Sequence, residues 1–311
     1  MPLEIRHATA DDAPVIHALV TDPTMREHFD RLQTVDRVRH DLTDPLVAQA
    51  LTHVAFLDGR PAGFVAGYAV CPEDRPGWVF LRLGVAGAAR RRGAGRALLS
   101  RVARIAREEG IVGPGGDLLL PMEDHSDSGR AFAERLGFRI ERWFYRMHRA
   151  PGPVAAPVWP DGVEVRTFDG SDAALSDWNA IYTESFAAHY RPIPSTPELC
   201  RRFAAAPDFL ADGLALAYLH DRCVGFCRNE TQGDMGVIGL LGVATAARRT
   251  GLGRALLRWG IAYFAAPRWS GVGLGVDGAN ESATELYRTE GFVVDRRRQI
   301  WAAPLESITA A

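Results

Sequence analysis

One phrase, written twice, constrains this chain more than any other feature: Leu83–Leu99 reads LGVAGAARRRGAGRALL and Leu241–Leu257 reads LGVATAARRTGLGRALL. Fourteen of the 17 positions are identical at a lag of 158 residues, about half of the 311-residue chain. An internal duplication of that length predicts two similar domains, each able to bury its own core. Between the copies lies APGPVAAPVWPDG, residues 150–162, whose four prolines deny the backbone the donors and dihedrals of regular structure. The expected organisation is a first domain at 1–149, a linker at 150–162 and a second domain at 163–311.

The order of predicted elements repeats with the phrase. Each half opens with a strand and a polar helix start (LEIRHATADDA, VEVRTFDGSDA), followed by a helical stretch. Three strands come next: HVAFLDG, RPAGFVAGYAV and GWVFLRLGV in the first half; LALAYLH, VGFCRNETQ and GVIGLLGV in the second. After the repeated phrase each half predicts a helix, a strand (GDLLLPM, GVGLGVD), another helix, and a Gly-Phe pair (Gly137-Phe138, Gly291-Phe292) leading into a last strand. The predicted class is α/β: two tandem domains of the α+β type, each a mixed, mostly antiparallel sheet flanked by helices.

Inside each phrase an apolar strand end is followed by Arg-x-x-Gly-x-Gly and an apolar helix. In Arg248-Arg249-Thr250-Gly251-Leu252-Gly253-Arg254 the glycines permit tight dihedrals and close backbone approach, so successive N–H groups at a helix start can converge on an anion. Arg90-Arg91-Arg92-Gly93-Ala94-Gly95-Arg96 repeats the design with more charge. A dinucleotide-binding fingerprint fits poorly, because Leu98 and Leu256 stand where its third glycine would be.

This pairing of a Leu-Gly-Val strand end with an Arg-x-x-Gly-x-Gly loop and an Ala-Leu-Leu helix resembles the GCN5-related N-acetyltransferase family, over both halves. The resemblance implies acetyl-CoA as co-substrate. Its pyrophosphate and pantetheine would be held by Leu241, Gly242, Val243 and the loop Arg248, Arg249, Thr250, Gly251, Leu252, Gly253 and Arg254. In the first half Val85, Arg90, Arg91, Gly93, Gly95 and Arg96 would do the same.

Ahead of Gly291 the second half reads Asn280-Glu-Ser-Ala283-Thr-Glu-Leu286-Tyr287, which resembles the family's Asn-x-x-Ala-x-x-Leu-Tyr helix. That likeness adds Asn280 to the cofactor site and places Tyr287 by the thioester sulfur. A phenol of pKa about 10 stays protonated at neutral pH and can hydrogen-bond or protonate the departing thiolate. Aligning the Gly-Phe pairs sets Ala133 against Tyr287, so the first half lacks the phenol and is expected to be catalytically degenerate.

An alkyl ammonium of pKa about 10.4 needs help to lose its proton at pH 7. Residues 236–243 contain no acid, so the candidate base is Glu230 on the preceding strand, with Asp234 in the turn behind it. Glu184, His189 and Tyr190, in the segment after the second half's first strand, are the candidate acceptor-binding residues.

All 36 basic residues are Arg, which excludes mechanisms built on an essential lysine and fits a GC-rich genome of the actinobacterial kind. The formal net charge of -2 gives no sign of nucleic-acid binding. Four scattered cysteines outline neither a disulfide framework nor a zinc site, and no stretch has the length of a membrane span, so a cytoplasmic protein without metal is expected. The expected reaction is acetyl transfer to a primary amine of a small molecule by direct attack in a ternary complex. Two alternatives stay open. One is the cysteinyl amine of a sugar-linked thiol, the acceptor of tandem actinobacterial members that this chain resembles in length and arrangement. The other, of a different class, is a non-catalytic acyl-CoA sensor or scaffold.

Overall fold

A computed structural model describes residues 3–25, 34–43 and 49–309. It resolves into two compact units, one of Met1–Trp143 with Arg297–Ala311, the other of Phe144–Arg296.

The first unit contains β1 (Leu3–His7), α1 (Ala13–Val20), α2 (Val35–Thr43), β2 (His53–Leu57), β3 (Arg60–Val70), β4 (Trp78–Val85), α3 (Ala94–Glu108), β5 (Asp117–Glu123), α4 (Asp127–Arg135) and the start of β6 (Arg139–Arg149). Strands β1 to β4 form an antiparallel meander, and β5 joins β4 in parallel. Asp58 and Gly59, both at positive φ, make the tight turn between β2 and β3 that the Asp-Gly dipeptide predicts. One face of the sheet is covered by α3, whose Leu98, Leu99, Val102 and Ala106 meet Val65, Val79, Leu81 and Leu118. On a second cluster Ile16, Leu19 and Val38 of α1 and α2 meet Val54 and Phe64.

The second unit repeats the order: β7 (Val163–Thr167), α5 (Asp172–Phe186), α6 (Pro197–Ala204), β8 (Leu214–Leu219), β9 (Arg222–Gln232), β10 (Met235–Val243), α7 (Leu252–Tyr263), β11 (Val272–Asp277), α8 (Glu281–Thr289) and the start of β12 (Val293–Pro304). Strands β7 to β10 are antiparallel and β11 is parallel to β10. Trp178 and Ile181 of α5 and Leu256, Leu257 and Ile261 of α7 fill the core, with Phe226, Leu216 and Leu274 from the strands.

The sixth strand of each unit comes from the other repeat. Residues Arg298–Pro304 of β12 pair antiparallel with β5, and Phe144–Arg149 of β6 pair antiparallel with β11. Trp301 and Ala303 of β12, with Leu305 and Ile308 of the closing helix α9 (Leu305–Thr309), lie in the first unit's core, while Met147 lies in the second's. The division at 1–149, 150–162 and 163–311 follows the repeat in the sequence; the contacts instead exchange the last strands. Residues 150–162 hold no regular element, as their prolines predict, yet Val154 and Trp159 pack on the second unit's core. No helix among the described residues is long and apolar enough to cross a membrane.

Candidate active site

In the second unit, β10 and β11 pair only from Gly236–Ile238 to Val272–Leu274. Beyond that they part, and Leu240–Val243 keep a strand partner on the β9 side alone. Just there β10 carries a bulge at Gly239, where the register with β9 slips between Ile238 and Leu240. A cleft opens there with peptide groups of β10 along one wall. Gly242, three residues on, lets α5 approach closely, since a Cβ there would run into Ser185 and Phe226.

The loop below the cleft has the geometry its glycines imply. Arg249 takes φ +64 and Gly251 φ +95, the latter as N-cap of α7, so the amides of Leu252, Gly253 and Arg254 start the helix without intrahelical acceptors. Arg91 at +63 and Gly93 at +88 reproduce the same path before α3. Arg248 turns away from the loop mouth, its guanidinium donating to Val243 O at 3.3 Å and Ser185 O at 3.3 Å. Arg90 does the same to Val85 O and Thr24 O. These two arginines fasten strand ends to the preceding helix region. Arg249 and Arg91 are exposed and make no hydrogen bond or ion pair among the described residues, which leaves their charge for an incoming anion. Arg254 is shared with Arg258 by the carboxylate of Glu290, which these two cations hold below the ordinary carboxylate range against the opposing effect of burial. Thr250 Oγ1 donates to Ala247 O. Arg96, the first-half counterpart of Arg254, has no such partner among the described residues.

Tyr287 sits on α8, only 9% exposed, with its ring edge-on to Phe292 at 6.1 Å. Burial, and next the Cys227 thiol, push its pKa up to about 12. Its hydroxyl has no hydrogen-bond partner among the described residues. Asn280 caps α8, its Oδ1 accepting from Ala283 N at 3.1 Å, which fixes the helix start two turns ahead of the phenol.

Glu230 lies across from Val237 on β9, and its carboxylate occupies the space where a side chain at Gly239 would be. The acid missing from β10 is thus delivered to the bulge by the neighbouring strand. Arg228 pairs with it. That guanidinium is buried between Trp178 and Phe203, at 5.9 and 5.1 Å from their ring centroids. Sequence reasoning passes over Arg228, although an arginine directly after the apolar run Cys223–Cys227 is a visible signal.

His189 and Tyr190 gather with Phe144 and Phe186: His189 is 6.0 Å from Phe144 and 5.6 Å from Phe186, and Tyr190 is 6.1 Å from Phe144. Phe144 stands opposite Asp277, the last residue of β11. It comes from the first repeat, so no reading of the second repeat by itself could include it. Glu184 is engaged elsewhere, accepting from Thr245 N at 3.0 Å and pairing with Arg222 at 2.9 Å. Among the described residues no cluster of three or more His, Cys, Asp or Glu could hold a metal ion.

The first unit keeps the loop and the parting strands but loses these groups. Gly63 and Gly225 each pair with the Val that ends the repeated strand, and counting from them sets Ala66 against Arg228 and Tyr68 against Glu230. β4 carries no bulge against β3, and Ala133 takes the place of Tyr287.

The Acetyltransferase (GNAT) family model matches residues 14–138 and 175–292, and the chain belongs to that family of acyltransferases. Its members generally use acetyl-CoA. A mycothiol acetyltransferase of Thermomonospora curvata is 31% identical over 283 residues, covering 88% of this chain and 91% of that protein. Another, from Sanguibacter keddieii, is 30% identical over 307 residues, covering 93% and 92%. Of solved structures, a GCN5-related N-acetyltransferase from Sphaerobacter thermophilus shares the fold with a TM-score of 0.73 at 23% identity, covering 97% of this chain and 96% of its own. A tandem GNAT protein from the clavulanic acid biosynthesis pathway does so with 0.71 at 18% identity, covering 98% and 99%.

Proposed function

We propose that this chain is an acetyl-CoA-dependent N-acetyltransferase whose second unit moves the acetyl group to a primary amine of a small molecule, by direct attack in a ternary complex. The observation that carries this is the phenol of Tyr287, buried yet without a partner for its hydroxyl, in the one unit that also places a carboxylate at the strand bulge. The phosphate loop fits CoA: the amides at Leu252, Gly253 and Arg254 receive the pyrophosphate, with Arg249 beside them, and the uncovered edge of Leu240–Val243 pairs with the pantetheine amides.

The amine nitrogen attacks the thioester carbonyl carbon, the carbon–sulfur bond breaks, and a peptide N–H of β10 stabilises the oxyanion in between. The acceptor arrives as an ammonium and first gives one proton to Glu230, directly or through a water, and the second nitrogen proton goes to solvent as the intermediate collapses. The sulfur leaves as thiolate and takes its proton from Tyr287, which recovers one from solvent. A thiol of pKa about 8.5 in water would make that last transfer uphill by about 3 to 4 pKa units from a phenol at 12. The same apolar surroundings raise the proton affinity of the desolvated thiolate, which narrows the gap.

The full-length likeness to mycothiol acetyltransferases favours a narrower second reading, in which the acceptor is the cysteinyl amine of the mycothiol precursor. Thiol release from acetyl-CoA, followed across a panel of amines that includes this one, tests both. Turnover with the cysteinyl amine alone supports the narrower form. Tight CoA binding with no release for any amine would overturn catalysis in favour of an acyl-CoA sensor.

Gly251→Ala probes the loop. A Cβ there meets no atom within 4 Å, so its effect is the strain of holding a non-glycine residue at φ +95. The helix start relaxes and its amides turn off the anion. The expected outcome is a KM for acetyl-CoA raised about tenfold with kcat nearly unchanged, measured by steady-state kinetics.

A further inference from the structure

Beside the phosphate loop lies a pocket of about 200 Å³ within the second unit, walled on one side by Val158, Trp159 and Pro160 and on the other by the first turns of α7. Thr250 and Gly251 line the pocket and also belong to the loop, so the two sites share a wall. Arg254, Ala255 and Arg258 complete its lining. We propose that this pocket takes the adenine of CoA, stacked on the Trp159 indole, so that the proline-rich segment between the two repeats completes the nucleotide site of the second unit. The inference rests on the CoA reading above and extends it to residues outside the repeated motif.

Three features carry it. The segment is held in place: Arg149 donates to Pro153 O at 2.6 Å and to Glu290 O at 2.9 Å, Val154 and Trp159 pack on the core, and four prolines limit its freedom before any ligand arrives. Its volume is below the roughly 300–1,000 Å³ of pockets for drug-sized ligands, which suits a single heterocycle. Its chemistry is that of a purine site with a phosphate alongside. An indole and a proline ring supply flat apolar surface, and two guanidiniums share one carboxylate, Glu290, leaving a net positive charge for the 3′-phosphate. Because Thr250 and Gly251 line the pocket, a pyrophosphate on the amides that open α7 borders it directly.

Calorimetric titration with CoA and with 4′-phosphopantetheine, which lacks the adenosine, tests the assignment on the full chain without any acceptor. The expected result is that Trp159→Ala weakens CoA binding by about 5- to 150-fold, the range of base stacking on an aromatic ring, and leaves 4′-phosphopantetheine binding unchanged. Trp159→Phe, which keeps a ring, should restore most of the CoA affinity. Equal losses for both ligands would mean that Trp159 only supports the fold, and no loss for either would mean that the adenine lies elsewhere; each overturns the proposal. If the native chain binds neither ligand, the CoA reading itself falls and takes this inference with it.

Discussion

Replacing Tyr287 by phenylalanine is expected to lower kcat by about 10²- to 10³-fold while KM for acetyl-CoA stays within about twofold. The substitution removes one oxygen and keeps the ring that meets Phe292. Because the hydroxyl has no partner among the described residues, its loss leaves no donor or acceptor stranded, and the melting temperature should hold or rise slightly. A tyrosine present only to pack α8 on the sheet predicts full activity in the variant at the same stability, so activity is what separates the two. The pH profile adds a sign. A phenol pushed up to about 12 stays protonated across the working range, so the native enzyme should show no alkaline fall assignable to Tyr287 below about pH 10. Steady-state kinetics from pH 6 to 10 beside thermal melts of both proteins decide the matter, and an active Tyr287→Phe variant would remove the phenol from the mechanism.

Much of this architecture is legible in the residues because its determinants are local. Continuous apolar runs define β3 and β9, the Asp58-Gly59 turn joins β2 to β3, and Gly93 and Gly251 mark the left-handed step before the helix that follows each repeated phrase. What escapes is non-local. The strand after each Gly-Phe reads as a strand in either sheet, and nothing in its pattern tells β6 to leave β5 for β11, or β12 to close the first unit. The partners that side chains find are non-local for a related reason. Arg248 belongs to the repeated motif by position, and its guanidinium donates to Val243 O and Ser185 O. Glu184 is expected from the sequence to bind the acceptor, yet its carboxylate accepts from the amide of Thr245 and pairs with Arg222. Glu230 was visible only as an acid on the strand beside an acid-free one; that it fills the gap over Gly239 depends on a bulge which a run of small and aliphatic residues does not announce.

Glu230→Gln is expected to reduce kcat/KM for the amine by about 10²- to 10³-fold at pH 7, with the deficit shrinking as pH rises. Without the carboxylate only amine that is already neutral can react. For an alkyl ammonium of pKa about 10.4 that fraction grows about tenfold per pH unit, so the variant's profile should climb steeply where the native one is flatter. Glutamine is the informative replacement because of Arg228. Alanine would strand a buried guanidinium, which costs about 3 to 5 kcal/mol when a buried pair loses one member, and a fall in stability would confound the kinetics. The glutamine Oε1 can still accept from Arg228 and keep its side chain over Gly239, so geometry is retained and only the proton acceptor is lost. Parallel profiles for the two proteins, offset by a constant factor, would show that Glu230 shapes the cleft without taking the proton. Proton removal would then fall to a water or to a group outside the β9–β10 hairpin. A converging pair, with native-like melting of the variant, would identify the carboxylate at the bulge as the base that β10 itself does not supply.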